Sequence, residues 1–222
     1  MLKYLADTFA PHYCCSCGEI GAVLCEHCKY NITCESFERC VVCLGPAKPS
    51  SNLCSSCRTP YARAWCVGER SDALKAAINL YKYHSTRAAA EIFADLLDET
   101  VPILSPQTRV VAVPTITSHI RMRGYDHVER IAQLFAARRG LVVERTLSRT
   151  SNLHQQGASR RQRLEQAKCA FHFEPTDPVP HLLVDDVYTT GATLHYAAQA
   201  LRDAGASEVY IAVLSRQPLE KN

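Results

Sequence analysis

Four Cys-x-x-Cys pairs crowd the first 60 residues: Cys14 with Cys17, Cys25 with Cys28, Cys40 with Cys43, and Cys54 with Cys57, spaced by seven, eleven and ten residues. Each such turn sets two sulfurs on one side of a tight knuckle, and two knuckles complete the four-sulfur tetrahedral cage that zinc favours. The block has too few large apolar side chains for a core of its own. Metal therefore supplies the missing stability, about 10–16 kcal/mol apparent per structural site. Disulfides and iron–sulfur ligation are the weaker readings, because the opening residues lack the basic flank and apolar run of a secretory signal and point to a reducing, cytoplasmic setting. Gly18 and Gly45 each follow the first knuckle of a half. The halves then repeat as units, which predicts sequential pairing rather than a cross-braced one. Cys15, Cys34, Cys66 and Cys169 are left over, and Cys66 and Cys169 sit in strand-like runs, where a thiol reads as a small buried hydrophobe.

The rest of the chain has ordinary globular composition. Of 222 residues, 47% are hydrophobic and 21% charged, which excludes a disordered or fibrous chain. No apolar stretch approaches the roughly 20 residues that a bilayer requires, so no membrane span is expected. Residues 1–62 are predicted as a Cys-rich zinc-binding domain and 63–222 as a second domain of alternating strands and helices. Strand runs at 64–69, 109–113, 141–147, 170–173, 182–187 and 209–214 alternate with helical spacing around Leu74–Tyr81, 88–98, 128–135 and 192–204, where Ser71 and Asp72 are cap candidates and Gly140 a stop. That alternation predicts a parallel sheet with helices on both faces.

The sharpest chemical signal runs from Leu182 to Thr193, Leu-Leu-Val-Asp-Asp-Val-Tyr-Thr-Thr-Gly-Ala-Thr. An apolar strand delivers Asp185 and Asp186 at its carboxyl end, and a hydroxyl-rich turn then opens a helix. Backbone N–H groups and Thr hydroxyls of Thr189, Thr190, Gly191, Ala192 and Thr193 suit a phosphate at that helix N-terminus. Gly191 lets the backbone approach closely, and two carboxylates can accept both hydroxyl protons of a sugar's vicinal diol.

Upstream, the strand Val110–Val113 ends at Pro114 and Thr115, and Arg121, Arg123 and Gly124 follow within ten residues. Closely spaced guanidinium forks with a Gly suit a diphosphate. From His119 to Arg163 there are ten Arg, no Lys and three acids, a local balance of +7 in a chain whose total is +3. An Arg-only segment favours bidentate phosphate binding. It also suits a nucleic-acid backbone, although interleaved aromatics are sparse.

The Leu182–Thr193 segment resembles the phosphoribosyl-diphosphate motif of type I phosphoribosyltransferases. By that resemblance Asp185 and Asp186 hold the ribose hydroxyls and Thr189–Thr193 the 5′-phosphate. The 6-oxopurine members carry an acid three residues beyond the second carboxylate; Thr189 stands there, so a hypoxanthine or guanine transferase is disfavoured. Taken with the Cys-knuckle head, Tyr81-Lys82-Tyr83-His84, Arg121-Met122-Arg123-Gly124-Tyr125-Asp126-His127 and the stretch from Arg149 to Arg163, the chain resembles the ComF family of competence proteins over nearly its whole length. The resemblance implies a type I phosphoribosyltransferase-like twisted parallel sheet flanked by helices, behind an N-terminal double zinc ribbon. It also implies binding of phosphoribosyl diphosphate, or another phosphorylated ribose, with Mg²⁺. Lys82, Pro114, Thr115, Arg121, Arg123 and Gly124 would face the diphosphate, and Arg160, Arg161 and Arg163 would lie in a flexible loop open to single-stranded DNA and the DNA-uptake machinery. Where the family commonly reads Asn-Gln, this chain has Asp126-His127, whose role the resemblance does not supply. A working phosphoribosyltransferase for an unidentified base and a non-catalytic phosphoribosyl-diphosphate sensor are the alternatives.

Overall fold

The computed structural model describes residues 13–34, 37–84, 87–115, 120–121, 124–149 and 171–218. Its centre is a five-stranded, all-parallel sheet built from β1 (Arg63–Glu69), β2 (Arg109–Ala112), β3 (Val142–Val143), β6 (Pro180–Tyr188) and β7 (Glu208–Arg216), in the order β1-β7-β6-β2-β3. Helices α2 (Asp72–His84), α3 (Arg87–Thr100), α4 (His127–Arg139) and α5 (Ala192–Asp203) surround it. The expected α/β alternation and two-faced parallel sheet are present.

Strand alternation sorts the sheet into two faces. On one, Trp65, Val67, Leu182, Val184 and Leu214 pack with Leu74, Phe93, Leu97, Ile131 and Phe135 of α2, α3 and α4. On the other, Cys66, Leu183, Ile211 and Val213 pack with Leu194, Ala198 and Leu201 of α5. Full burial of a Leu, Ile or Phe side chain stabilises by about 1.5–3 kcal/mol, so these two layers carry the fold. Cys66, the leftover thiol in β1, is one of these core side chains, as its strand setting suggested.

The Cys-rich blocks divide between the same two faces. The first block brings Val23, Leu24, Cys28 and Ile32, the last two from a helix α1 (Glu26–Thr33), into the α2–α4 layer. The second brings Phe37, Cys40, Val41 and Leu53 into the α5 layer. Each block borrows the sheet's core, which accounts for its shortage of apolar residues.

Two local expectations differ. The run 141–147 splits: β3 joins the main sheet, whereas β4 (Leu147–Arg149) pairs antiparallel with β5 (Phe171–Phe173) in a separate ribbon. Glu144, between them, turns inward to His181 Nε2 at 3.0 Å and to the hydroxyls of Thr146 and Thr176. Directly after the Cys40–Cys43 knuckle it is Leu44 (φ 60°), not Gly45, that takes the left-handed conformation, whereas after the Cys14–Cys17 knuckle it is Gly18 (φ 80°).

Chain order locates the crevice. β2 leads through α4 outward to β3, while β6 leads through α5 in the opposite direction to β7. With right-handed crossovers this puts α4 and α5 on opposite faces and leaves a gap outside the carboxyl ends of β2 and β6, where open parallel sheets bind ligands.

Candidate functional site at the carboxyl ends of β2 and β6

Three side chains from three elements converge at the end of β6. Asp186 Oδ2 lies 2.5 Å from Lys82 Nζ of α2 and 2.7 Å from His127 Nε2 at the start of α4. Asp186 is 8% and His127 4% exposed. Burial alone would raise the Asp186 carboxyl, but the His127 hydrogen bond and the Lys82 charge outweigh it and hold the group well below the ordinary range. Two tyrosines brace the arrangement: Tyr81 Oη donates to His127 O at 3.0 Å and Tyr125 Oη to Tyr81 O at 2.7 Å, which fixes the end of α2 against the start of α4.

The neighbouring acid differs. Successive strand residues project to opposite faces, and Asp185 remains partly exposed, its Oδ1 accepting from the Asp186 amide at 2.8 Å. Burial and the adjacent Asp186 charge raise its carboxyl above the usual range. The twin carboxylates are thus unequal: Asp186 is committed to Lys82 and His127, whereas Asp185 is partly exposed and bonds only the Asp186 amide among the contacts described.

Asp126 organises the end of β2. As the N-cap of α4 it accepts from Val128 N at 3.0 Å and Glu129 N at 3.2 Å. The same carboxylate accepts from the Thr115 amide at 3.2 Å and the Thr115 hydroxyl at 2.9 Å. One dipeptide, Asp126-His127, therefore ties α4 to β2 through Thr115 and to β6 through Asp186. Residue-type reasoning left this pair without a role; the Asp-x-x-Glu spacing of Asp126 and Glu129 is a helix-start signal that identifies at least the cap.

In the turn after β6, Gly191 caps α5 at φ 78° and has no side chain of its own to bond the helix start. The Ala192 amide donates to Thr190 Oγ1 at 3.4 Å; Thr189 and Thr190 are exposed, whereas Gly191 is buried. Gly191 is required for a reason besides close approach of a ligand: a Cβ there would sit 2.0 Å from Tyr188 Oη. Tyr188 in turn contacts Tyr61 Oη at 3.1 Å.

The other sequence candidates fall as follows. Lys82 is engaged by Asp186, and Thr115 by Asp126. Pro114 is half-buried between Val113 and Thr115, Arg121 is exposed, and Gly124 takes φ 79° in the turn before Asp126. Arg123, Arg160, Arg161 and Arg163, together with Cys169, lie outside the described residues.

The cysteines form two sets, Cys14/Cys17/Cys25/Cys28 and Cys40/Cys43/Cys54/Cys57, the sulfurs of each all within 4.8 Å of one another. Pairing is sequential, as the repeat predicted. Zinc–sulfur bonds of 2.3 Å in a tetrahedron give sulfur–sulfur edges of about 3.8 Å. Cys17–Cys25 at 3.6 Å and Cys43–Cys54 at 3.8 Å match. Both donor sets fit structural zinc, with all four positions closed by sulfur and none left for a substrate.

Comparison with known proteins agrees with this geometry. Residues 180–221, which contain β6, the Gly191 turn, α5 and β7, match the family model described as phosphoribosyl transferase domain. The chain is 25% identical over 198 residues to "Competence protein ComFC" of Streptococcus pneumoniae, covering 84% of each protein. It is 26% identical over 219 residues to "DNA utilization protein YhgH" of Salmonella typhimurium, covering 87% of this chain and 96% of that one. The chain belongs to the ComF family. Residues 5–135 also match the family described as "Uncharacterized protein conserved in bacteria (DUF2321)", so the chain belongs to that family too. A ComF "Competence protein ComFC" of Bacillus subtilis is 27% identical over 139 residues, 61% of this chain. Among the described residues no helix is long and apolar enough to cross a membrane.

Proposed function

We propose that this ComF protein binds phosphoribosyl diphosphate, or another phosphorylated ribose, in the crevice outside β2 and β6, and that it works in the handling of incoming DNA. The observation that carries the reading is the pairing of the α5 helix start, flanked by the exposed hydroxyls of Thr189 and Thr190, with the partly exposed carboxyl of Asp185, set at the sheet's switch point. The N–H groups of the Thr189–Thr193 turn receive the 5′-phosphate, aided by the α5 dipole. Asp185 accepts from the ribose hydroxyls. Asp186, Lys82 and His127 form the floor, and the Pro114–Thr115 strand end with Arg121, Arg123 and Gly124 faces the diphosphate. Mg²⁺ entering with the diphosphate would offset its negative charge beside these residues.

Binding is favoured over 6-oxopurine transfer because Thr189, an exposed hydroxyl, occupies the place where those transferases hold an acid over the base. Labelled phosphoribosyl diphosphate with a panel of bases distinguishes the cases: tight binding with no release of pyrophosphate supports a sensor, and base-dependent release supports a transferase. The DNA role rests on the relatives' printed names and on the Arg-rich 119–163 segment. Single-strand binding that weakens with salt and disappears when Arg160, Arg161 and Arg163 become Ala supports it; binding indifferent to salt contradicts it.

A further inference from the structure

Arg216, the last residue of β7, is 2% exposed, and among the described residues no carboxylate pairs with it. Its guanidinium spends its donors on backbone carbonyls of two separate segments. Nε donates to Val41 O, and Nη2 to Val42 O at 3.3 Å. Nη1 donates to Thr189 O at 3.0 Å and to Tyr188 O at 3.4 Å, and also to Gln217 O. The ring of Tyr188 lies 5.1 Å from its Cζ.

The two segments matter. Val41 and Val42 are the middle residues of the Cys40–Cys43 knuckle, so the direction of their carbonyls is set by how those two sulfurs are held. Tyr188 and Thr189 open the turn that leads to Gly191. A second strut runs alongside: Tyr61, four residues after Cys57, meets Tyr188 hydroxyl to hydroxyl, and the Tyr188 ring is seated directly against Gly191. A buried guanidinium carries an uncompensated charge unless anionic groups lie near, and four thiolates on one zinc ion leave the cage with a net negative charge. Among the described residues no comparable strut reaches the turn from the Cys14/Cys17/Cys25/Cys28 set, which packs on the opposite face of the sheet.

We infer that the second cysteine cage is a positioning element for the phosphate turn, acting through Arg216 and the Tyr61–Tyr188 contact, so that its metal and a ligand in the turn reinforce each other. Arg216 is a positioning residue and touches no ligand. The inference rests on the binding function proposed above and deepens it: affinity for a phosphorylated ribose depends on metal held on the far side of Arg216.

Reciprocity supplies the test, because a metal that strengthens ligand binding must itself be held more tightly when the ligand is bound. Zinc release from the full-length, two-zinc protein to an excess of a colorimetric chelator is followed with and without phosphoribosyl diphosphate and Mg²⁺. Cys17→Ser and Cys43→Ser identify which release phase belongs to which cage, and titration calorimetry reports affinity. The inference predicts that the ligand slows release from the second cage at least fivefold and leaves the first unchanged. In Arg216→Lys, which still holds two zinc ions, the slowing disappears and affinity drops at least tenfold. Tyr61→Phe, a milder change that keeps the ring, loses about threefold. Equal effects on both cages, or tight binding with no effect on either, overturn the inference while leaving the binding function standing. A parent protein that holds two zinc ions but does not bind the ligand overturns both.

Discussion

His127 Nε2 donates to Asp186 Oδ2 at 2.7 Å, and through that bond the first residue of α4 holds the end of β6. Lys82 completes the cluster, so Asp186 is a buried anion with two cationic or hydrogen-bonding neighbours rather than a free sugar ligand. Removing one partner of a buried ion pair costs about 3–5 kcal/mol. Asp186→Asn is expected to lower stability by a value in the lower part of that range, measured as the urea midpoint, because Asn still accepts from His127 while Lys82 loses its charge partner.

The acid limb follows from the same group. Asp186 is held well below its unfolded value near 3.9, so its contribution is fully present above about pH 4 and is lost as pH falls toward the folded value. Thermal melts between pH 5 and pH 3 should fall more steeply for the parent than for Asp186→Asn.

Asp185 behaves in the opposite sense. Its folded carboxyl is raised by burial and by Asp186, so above about pH 4 the folded state holds more protons than the unfolded state, and this group's contribution declines as pH rises toward the raised value. Asp185→Asn keeps an acceptor for the Asp186 amide and removes the cost of ionisation. It is expected to stabilise the protein by about 1 kcal/mol at pH 8 and by little at pH 4, read from melts at the two pH values, while abolishing ligand binding. Loss of stability at pH 8 would show that Asp185 is a structural anion.

Gly191→Ala should be severe. Its φ of 78° disfavours any side chain, and the new methyl would overlap Tyr188, whose hydroxyl is held by Tyr61 and whose ring lies under Arg216. Strain plus overpacking gives about 2–4 kcal/mol. Chemical denaturation checks the loss, and a nearly neutral result would mean that Tyr188 can swing away.

Much of this is legible in the sequence. Apolar runs alternating with helical spacing place Leu182–Val187 and Val209–Leu214 as strands of a parallel sheet, and fourfold Cys-x-x-Cys spacing specifies two cages, their repeat as halves favouring sequential pairing. Glu26–Thr33 was hidden because Cys25 and Cys28 belong at once to a knuckle and to the start of a helix. The split at Glu144 was hidden because the partners that draw it inward, Thr176 and His181, lie more than 30 residues on. Arg216 and the Asp126-His127 dipeptide share that cause: a side chain's role depends on which carbonyl or carboxylate the topology sets against it, and local pattern does not carry that distance.

The most direct measurement is titration calorimetry of the two-zinc protein with phosphoribosyl diphosphate and Mg²⁺, run beside Asp185→Asn matched for melting temperature. One saturable site in the parent, weakened at least tenfold in the variant, is the predicted result. A variant that titrates like its parent, or a parent with no saturable heat, contradicts the assignment of this crevice to a phosphorylated sugar.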